Sequence, residues 1–306
     1  MTLEEQVRSN RIRSAMLLLS FGLVFVAIGV AVQALYGGVS LIVIAGIAFA
    51  YATFSWFANG RMIASWTGAR LVTKEEYPEL VRAVENAAIG AGLDQTPQVR
   101  VVDDPCPNAF AAGGSPKTSY VAATTGLLQM MNKRELESVI AHEIGHVRNR
   151  DVRLMSLAAV LVGVVALVAD LALRFAFFGG GRRRGGNPIL MIIGLAMLIL
   201  APIAAFGIQM SISRRREYLA DESSAEITGD PEGLALALWK LKQDTTELQH
   251  ANRATAHLYI ETPLNNTSGV RGALSGMFDT HPSLDSRIES LEKMGGFQLS
   301  ALVGQQ

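Results

Sequence analysis

From Ala15 to Leu35 the chain reads AMLLLSFGLVFVAIGVAVQAL, without a single charge. As a helix such a run spans about 30 Å, the thickness of the hydrocarbon layer, and no ordinary water-soluble fold needs it. After Gly37-Gly38 a second uncharged run, Val39 to Phe57, follows at once, so the pair is expected to form a transmembrane hairpin with almost nothing on its far side. A cleaved signal peptide would have a shorter apolar run, a small-residue cleavage site and no second span behind it. The composition agrees. The chain is 50% hydrophobic and only 18% charged, with a mean hydropathy of +0.28, whereas soluble domains carry charge on about a quarter of their residues.

Two further apolar stretches are less clean. Leu154 to Phe178 contains Asp170 and Arg174, and Ile189 to Met210 is interrupted by Pro202 and Gln209. Arg8, Arg11 and Arg13 before the first span, and Arg61, Arg70 and Lys74 after the second, place both flanks in the cytoplasm. A second full hairpin puts Arg174 and Arg182, Arg183 and Arg184 outside, against the same rule. A hairpin that only dips into the bilayer avoids this. Spanning is favoured because the fourth stretch has full length and non-helical backbone cannot face lipid.

Residues 70 to 150 read as a soluble α/β unit. Thr73-Lys74-Glu75-Glu76 has the Thr-x-x-Glu form of a capping box, predicting an amphipathic helix from there to about Gly92. Gln98–Asp103, Asn108–Ala112 and Ser119–Thr124 are strand-like and divided by Pro and Gly, as in a small sheet. Asn132, with Glu135 three residues on, opens a helix whose Leu136, Val139, Ile140, Ile144 and Val147 share one buried face. Further helices are expected over Arg214–Thr228, from Pro231 to about Gln249, and from Ser283 after a long loop.

On the helix opened by Asn132 lies His142-Glu143-Ile144-Gly145-His146. Histidines four apart project from one helix face and can bind one ion, with Glu143 beside them to take a proton from water. Zn2+ suits imidazole, and a catalytic site takes three protein ligands and leaves a fourth position open. A third ligand must come from elsewhere. His250, His257 and His281 compete with carboxylates. Arg214-Arg215-Arg216-Glu217-Tyr218-Leu219-Ala220-Asp221 sets Glu217 and Asp221 four apart on one face, where Glu could bind metal and Asp could hold a ligating imidazole. Pairing of both carboxylates with nearby arginines explains the spacing equally well. Asn108-Ala109-Phe110-Ala111 has the character of an edge strand, whose backbone can hold an extended peptide.

HEIGHVRNRD, followed after two apolar stretches by SRRREYLADESSA, resembles the HtpX-like integral-membrane zinc metallopeptidases, bacterial heat-shock relatives of the CAAX prenyl proteases. The likeness covers nearly the whole chain, including the amino-terminal hairpin, PNAFAAG at 107–113, and Thr280-His281-Pro282 with Arg287. It implies a fold that is α/β and mainly α: a zincin-like metallopeptidase domain with a small β-sheet, combined with four transmembrane helices in two hairpins. The corresponding organisation is a hairpin over 1–60, a first catalytic part over 61–153, a second hairpin over 154–210 and a second catalytic part over 211–306. The resemblance further implies Glu217 as third zinc ligand and Asp221 behind it, with His281 and Asn108 near bound substrate. The implied role is turnover of damaged membrane proteins under stress at a bacterial inner membrane. His281 is then the expected oxyanion donor beside Zn2+, and Glu143 the general base.

If the His146 helix runs on into the stretch at Leu154, eight residues place the metal about 12 Å from the bilayer, within reach of membrane-protein substrates. A membrane scaffold with a structural zinc is the competing reading, although it would leave Glu143 idle. Prenyl-protein processing ranks lower, since four spans leave little room for an intramembrane chamber. With 27 basic and 27 acidic residues no global field draws nucleic acid, and the lone Cys106 can close no intramolecular disulfide.

Overall fold

A computed structural model describes residues 8–10, 12–20, 22–23, 50, 53–54, 58–160, 214–244, 246, 260 and 282–303. The four apolar stretches fall mostly outside these residues, and among the described residues no helix is long and apolar enough to cross a membrane. His250, His257 and His281 also lie outside the described residues.

Helical residues 58–67 (α1) lead into β1 (Arg70–Leu71), α2 (Pro78–Gly90), β2 (Gln98–Val102), β3 (Ala109–Ala112), a single 3-10 turn (Pro116–Thr118), β4 (Tyr120–Thr124), α3 (Thr125–Met130) and α4 (Lys133–Arg148). Residues 151–160 (α5) follow, then α6 (Arg214–Thr228), α7 (Pro231–Gln243), α8 (Leu284–Gly295) and α9 (Leu299–Val303). The sheet is mixed and ordered β1-β2-β4-β3: β2 runs parallel to β4, and β1 and β3 are antiparallel to their neighbours. β3 is thus an edge strand.

β3 and β4 are apolar on both faces, AFAA and YVAAT, because both faces of the sheet are covered there. Ala109, Ala111, Val121 and Ala123 point to α2 and α4, joining Leu80, Val84, Val139, Ile140 and Ile144 in the main core. Phe110, Ala112, Tyr120 and Ala122 point the other way, to Ile63 and Ala64 of α1 and Met155 and Ala159 of α5. Side chains alternate between the two clusters with the period of two that a strand imposes. Residues 154–160, which open the third apolar stretch, are therefore core, with Leu154, Leu157 and Val160 fully buried.

Three local expectations change. Pro78 disfavours helical backbone at Tyr77, so α2 begins at Pro78 rather than at Thr73, and Glu76 instead accepts the Thr73 N–H at 3.0 Å in a separate turn. α7 ends at Gln243, not near Gln249, because Asp244 takes an extended conformation (ψ 137°). Most consequentially, the helix bearing His146 does not run on to Leu154. α4 stops at Arg148, Arg150 turns into the left-handed region with φ 58°, and α5 starts afresh, so the projected 12 Å rise to the bilayer does not apply. The Asn132 capping box is present as expected: its side chain accepts the Glu135 N–H at 3.0 Å and Glu135 accepts the Asn132 N–H at 2.9 Å.

α4 packs most extensively against α6, across the two halves of the domain. Gly145 allows it: a Cβ there would lie 2.9 Å from Ser223 Cβ and 3.4 Å from Ala220 Cα. Ser224 Oγ donates to the Ser138 carbonyl at 2.7 Å, pinning the same crossing. Gly145→Val is expected to destabilise the domain by about 1–3 kcal/mol through overpacking, read as a lowered thermal midpoint of the purified protein.

Candidate metal centre

The crossing of α4 and α6 brings together residues 75 positions apart in the chain, from His142 to Glu217. One ligand atom each from His142, His146 and Glu217 lies within 4.8 Å of the other two, and all three residues are buried. His142 Nε2 is 3.8 Å from Glu217 Oε2 and His146 Nε2 is 3.7 Å from Glu217 Oε1. Donors of a tetrahedral shell with bonds of 2.0–2.1 Å stand about 3.4 Å apart, so two imidazole nitrogens and a carboxylate oxygen at this spacing suit a divalent cation.

Each imidazole is held from behind by its own aspartate. His142 Nδ1 lies 2.9 Å from Asp221 Oδ1, and His146 Nδ1 lies 3.3 Å from Asp151 Oδ2. With Nδ1–H donated to a carboxylate, the Nε2 lone pair is left to face Glu217. Arg287 of α8, fully buried, grips Asp221 with both arms of its fork, Nε to Oδ2 at 2.9 Å and Nη2 to Oδ1 at 2.6 Å. Its Nη1 reaches Glu217 Oε2 at 3.8 Å and donates to the Ile260 carbonyl at 3.5 Å.

Sequence similarity now separates the chemistry from other uses of such a cluster. The sequence profile of Peptidase family M48 matches residues 74–295, which include His142, Glu143, His146, Asp151, Glu217, Asp221 and Arg287. The chain belongs to peptidase family M48. Three curated relatives, each described as a protease HtpX homolog, are similar over almost their full length. The protein of Limosilactobacillus fermentum is 41% identical over 95% of this chain and 100% of the relative. That of Tropheryma whipplei strain Twist is 39% identical over 94% and 97%, and that of Dictyoglomus turgidum 39% identical over 96% and 95%. A crystal structure of S. mikatae Ste24p superposes with a TM-score of 0.48 at 18% identity, covering 94% of this chain and 67% of that one. The protein is a metalloprotease, a hydrolase of peptide bonds.

Glu143 of this M48 peptidase sits one residue past His142 and is buried, with the Ala111 N–H of edge strand β3 among its hydrogen-bond partners. Burial is the main cause that pushes its carboxyl up to about 7, helped by the nearby Glu217 charge. For His146, burial opposes the charged form, but the Asp151 hydrogen bond and the Glu217 charge outweigh it and lift the imidazole to about 9. Burial and the Arg287 charge lower His142 to about 4. Asp221 is held below its ordinary value despite its burial, because Arg287 and His142 stabilise the carboxylate.

The charge balance of the cluster adds to these effects. Glu143, Asp151, Glu217 and Asp221 are four buried carboxylates, and among the described residues two buried guanidiniums, Arg216 and Arg287, face them. Two formal negative charges remain, which raises the proton affinity of Glu143 and His146 and which a divalent cation would neutralise. The donor set therefore fits a divalent metal in charge as well as in geometry.

Of the other expected site residues, Asn108 is buried at the start of the edge: its side chain accepts the Ala109 N–H at 3.0 Å, and its N–H donates to Thr124 Oγ1 at 2.8 Å. Phe110 turns its ring into the second core cluster, edge-on to Tyr120 at 6.0 Å, so its side chain serves packing. Ala109 and Ala111 carry the outward backbone groups: the Ala109 carbonyl accepts the Ile260 N–H at 3.2 Å and the Ala111 N–H donates to Glu143.

Sequence reading missed Asp151. Five residues along an unbroken helix it would point about 140° away from His146; the left-handed turn at Arg150 swings it back. Arg287 carried a signal, an Arg spaced i+4 from the Ser283 cap, but its partner Asp221 lies 66 residues away. Arg287→Met leaves Asp221 buried without its cation and is expected to cost about 3–5 kcal/mol, whereas the double change Arg287→Met with Asp221→Leu restores much of that loss in thermal unfolding of the metal-free protein.

Proposed function

We propose that this M48 peptidase is a zinc-dependent endopeptidase, anchored in a bacterial membrane by its apolar hairpins, that cleaves misfolded or damaged membrane proteins from the cytoplasmic side. The observation that carries the reading is the convergence of His142, His146 and Glu217 with Glu143 beside them. Among the described residues the group has three donors, the number a catalytic zinc site takes, rather than the four of a structural one. Zinc, when bound, supplies Lewis acidity toward the scissile carbonyl and a more acidic water.

The chain's own residues do the rest. Glu143 accepts the proton of the attacking water and passes it to the leaving amine. Asp221 and Asp151 keep the two imidazoles in the tautomer that presents Nε2. An extended peptide adding to β3 would take over the backbone bonds of Ala109 and Ala111 now made to Ile260 and Glu143.

Membrane attachment rests on the uncharged runs and on the described start of the first one. There Asn10, Ser14 and Leu17 are buried, while Ile12, Met16, Leu19 and Leu23, at helical spacing, are more than half exposed. Such a helix packs one face on the domain and offers the other to lipid, where substrates that are themselves membrane proteins would be met.

Glu143→Gln is expected to keep stoichiometric zinc and lose about 10²–10⁴ in kcat on an unfolded membrane-protein substrate. Glu217→Ala is expected to lose the zinc itself, measured by elemental analysis of the purified chain. Stoichiometric zinc in Glu217→Ala, or unimpaired cleavage by zinc-loaded Glu143→Gln, would overturn the assignment. For topology, Arg183→Cys in a Cys106→Ala background is expected to react with an impermeant thiol reagent from outside the cell; labelling from the cytoplasm alone would sink the four-span arrangement.

A further inference from the structure

We propose that Asn10 is a positioning residue for His146, acting through Asp151, so that docking of the amino-terminal segment completes the metal centre. The inference rests on the reading of His146 as a metal ligand and adds a contributor from 136 residues earlier in the chain.

The two carboxylate oxygens of Asp151 are divided between two tasks. Oδ2 faces His146 Nδ1 at 3.3 Å, and Oδ1 accepts from Asn10 Nδ2 at 2.6 Å. The same amide donates to the Asn149 carbonyl at 3.3 Å, at the carboxyl end of α4, and Asn10 Oδ1 accepts from Arg216 Nη1 at 3.5 Å. One side chain thus clamps the last turn of α4, the residue after the left-handed Arg150, and α6. Asn10, Asp151 and His146 are 4%, 0% and 3% exposed, so water cannot substitute freely for any of these bonds.

The residue type suits the task. Asp151 already lies in a cluster with excess negative charge. A carboxylate at position 10 would repel it, and an apolar side chain would leave Oδ1 short of a donor. A neutral amide donates to Asp151 and accepts from Arg216 without changing the charge. With Oδ1 held, the Asp151 carboxylate cannot rotate away from His146, whose ring orientation and Nδ1–H tautomer depend on Oδ2.

Ser14 provides the control. It lies one turn further on the same helix, is equally buried and donates its hydroxyl to the Asn10 carbonyl at 2.8 Å rather than to Asp151. Its loss weakens helix docking without unhooking the carboxylate.

The test uses the full-length protein in detergent or nanodiscs, loaded with zinc. Three quantities are read: the rate of zinc transfer to a chromogenic chelator, the thermal midpoint of the metal-free form, and kcat and KM separately. Asn10→Ala is expected to speed zinc loss about ten- to hundredfold, and Asn10→Asp at least as much, while Ser14→Ala releases zinc at the parent's rate even where its midpoint falls. Zinc loss from Asn10→Ala at the parent's rate would overturn the proposal. Equal acceleration in Ser14→Ala would overturn it too, since the effect would then be one of folding. A parent protein that holds no zinc would overturn the metal-ligand reading itself and this proposal with it, an outcome distinct from the other two.

Discussion

Buried negative charge dominates the physics of this domain. Among the described residues, four carboxylates enclosed by protein and opposed by two guanidiniums form an arrangement that a chain tolerates only when something compensates it, because ions removed from water lose several kcal/mol of solvation each. The arrangement of the surrounding helices follows from that requirement. α8 is positioned so that Arg287 can fork onto Asp221, α6 carries Arg216 toward Asp151, and the two imidazoles stand between carboxylates that fix their tautomers. The proton affinity of His146 rises because the Asp151 and Glu217 carboxylates outweigh its burial, and that of Glu143 rises mainly through burial itself. A site of this kind has a ready place for a divalent cation before any ligand geometry is considered.

Such charges are held apart from the apolar core by a simple layering. The sheet is sandwiched between α2 and α4 on one side and α1 and α5 on the other, and its small side chains keep the helices close. In the sequence, α1 directly follows the second apolar stretch and α5 includes the first residues of the third. Part of the hydrophobicity in the third stretch belongs to the catalytic domain, since residues 154–160 are buried against protein. Hydropathy alone therefore does not mark where the domain core ends along this stretch.

Much of the centre could be read from spacing. His142 and His146 four apart predict one face, Asn132 with Glu135 predicts the helix start, and both hold. The choice between Glu217 and the remaining histidines could not be made from the pattern alone; resemblance pointed to Glu217, and the fold brings its carboxylate to both imidazoles. Asp151 was invisible for a definite reason. Helical periodicity extrapolated through Arg150 sends it to the wrong side, and one residue at φ 58° reverses that. Pro78 misled in a smaller way, since the capping signal at Thr73 is real but closes only a turn.

Local interactions are what a sequence encodes legibly. The helix caps, the alternation of AFAA and YVAAT, the uncharged runs and the i, i+4 histidines all depend on residues within a few positions of one another, so periodicity and propensity suffice. Tertiary structure alone decided the pairings across distance: Gly145 against Ser223, Arg287 on Asp221, and Asn10 on Asp151, separated by up to 141 residues. Those pairings are set by how closely two helices can approach and by which buried charge lacks a partner, and neither quantity exists until the chain has folded.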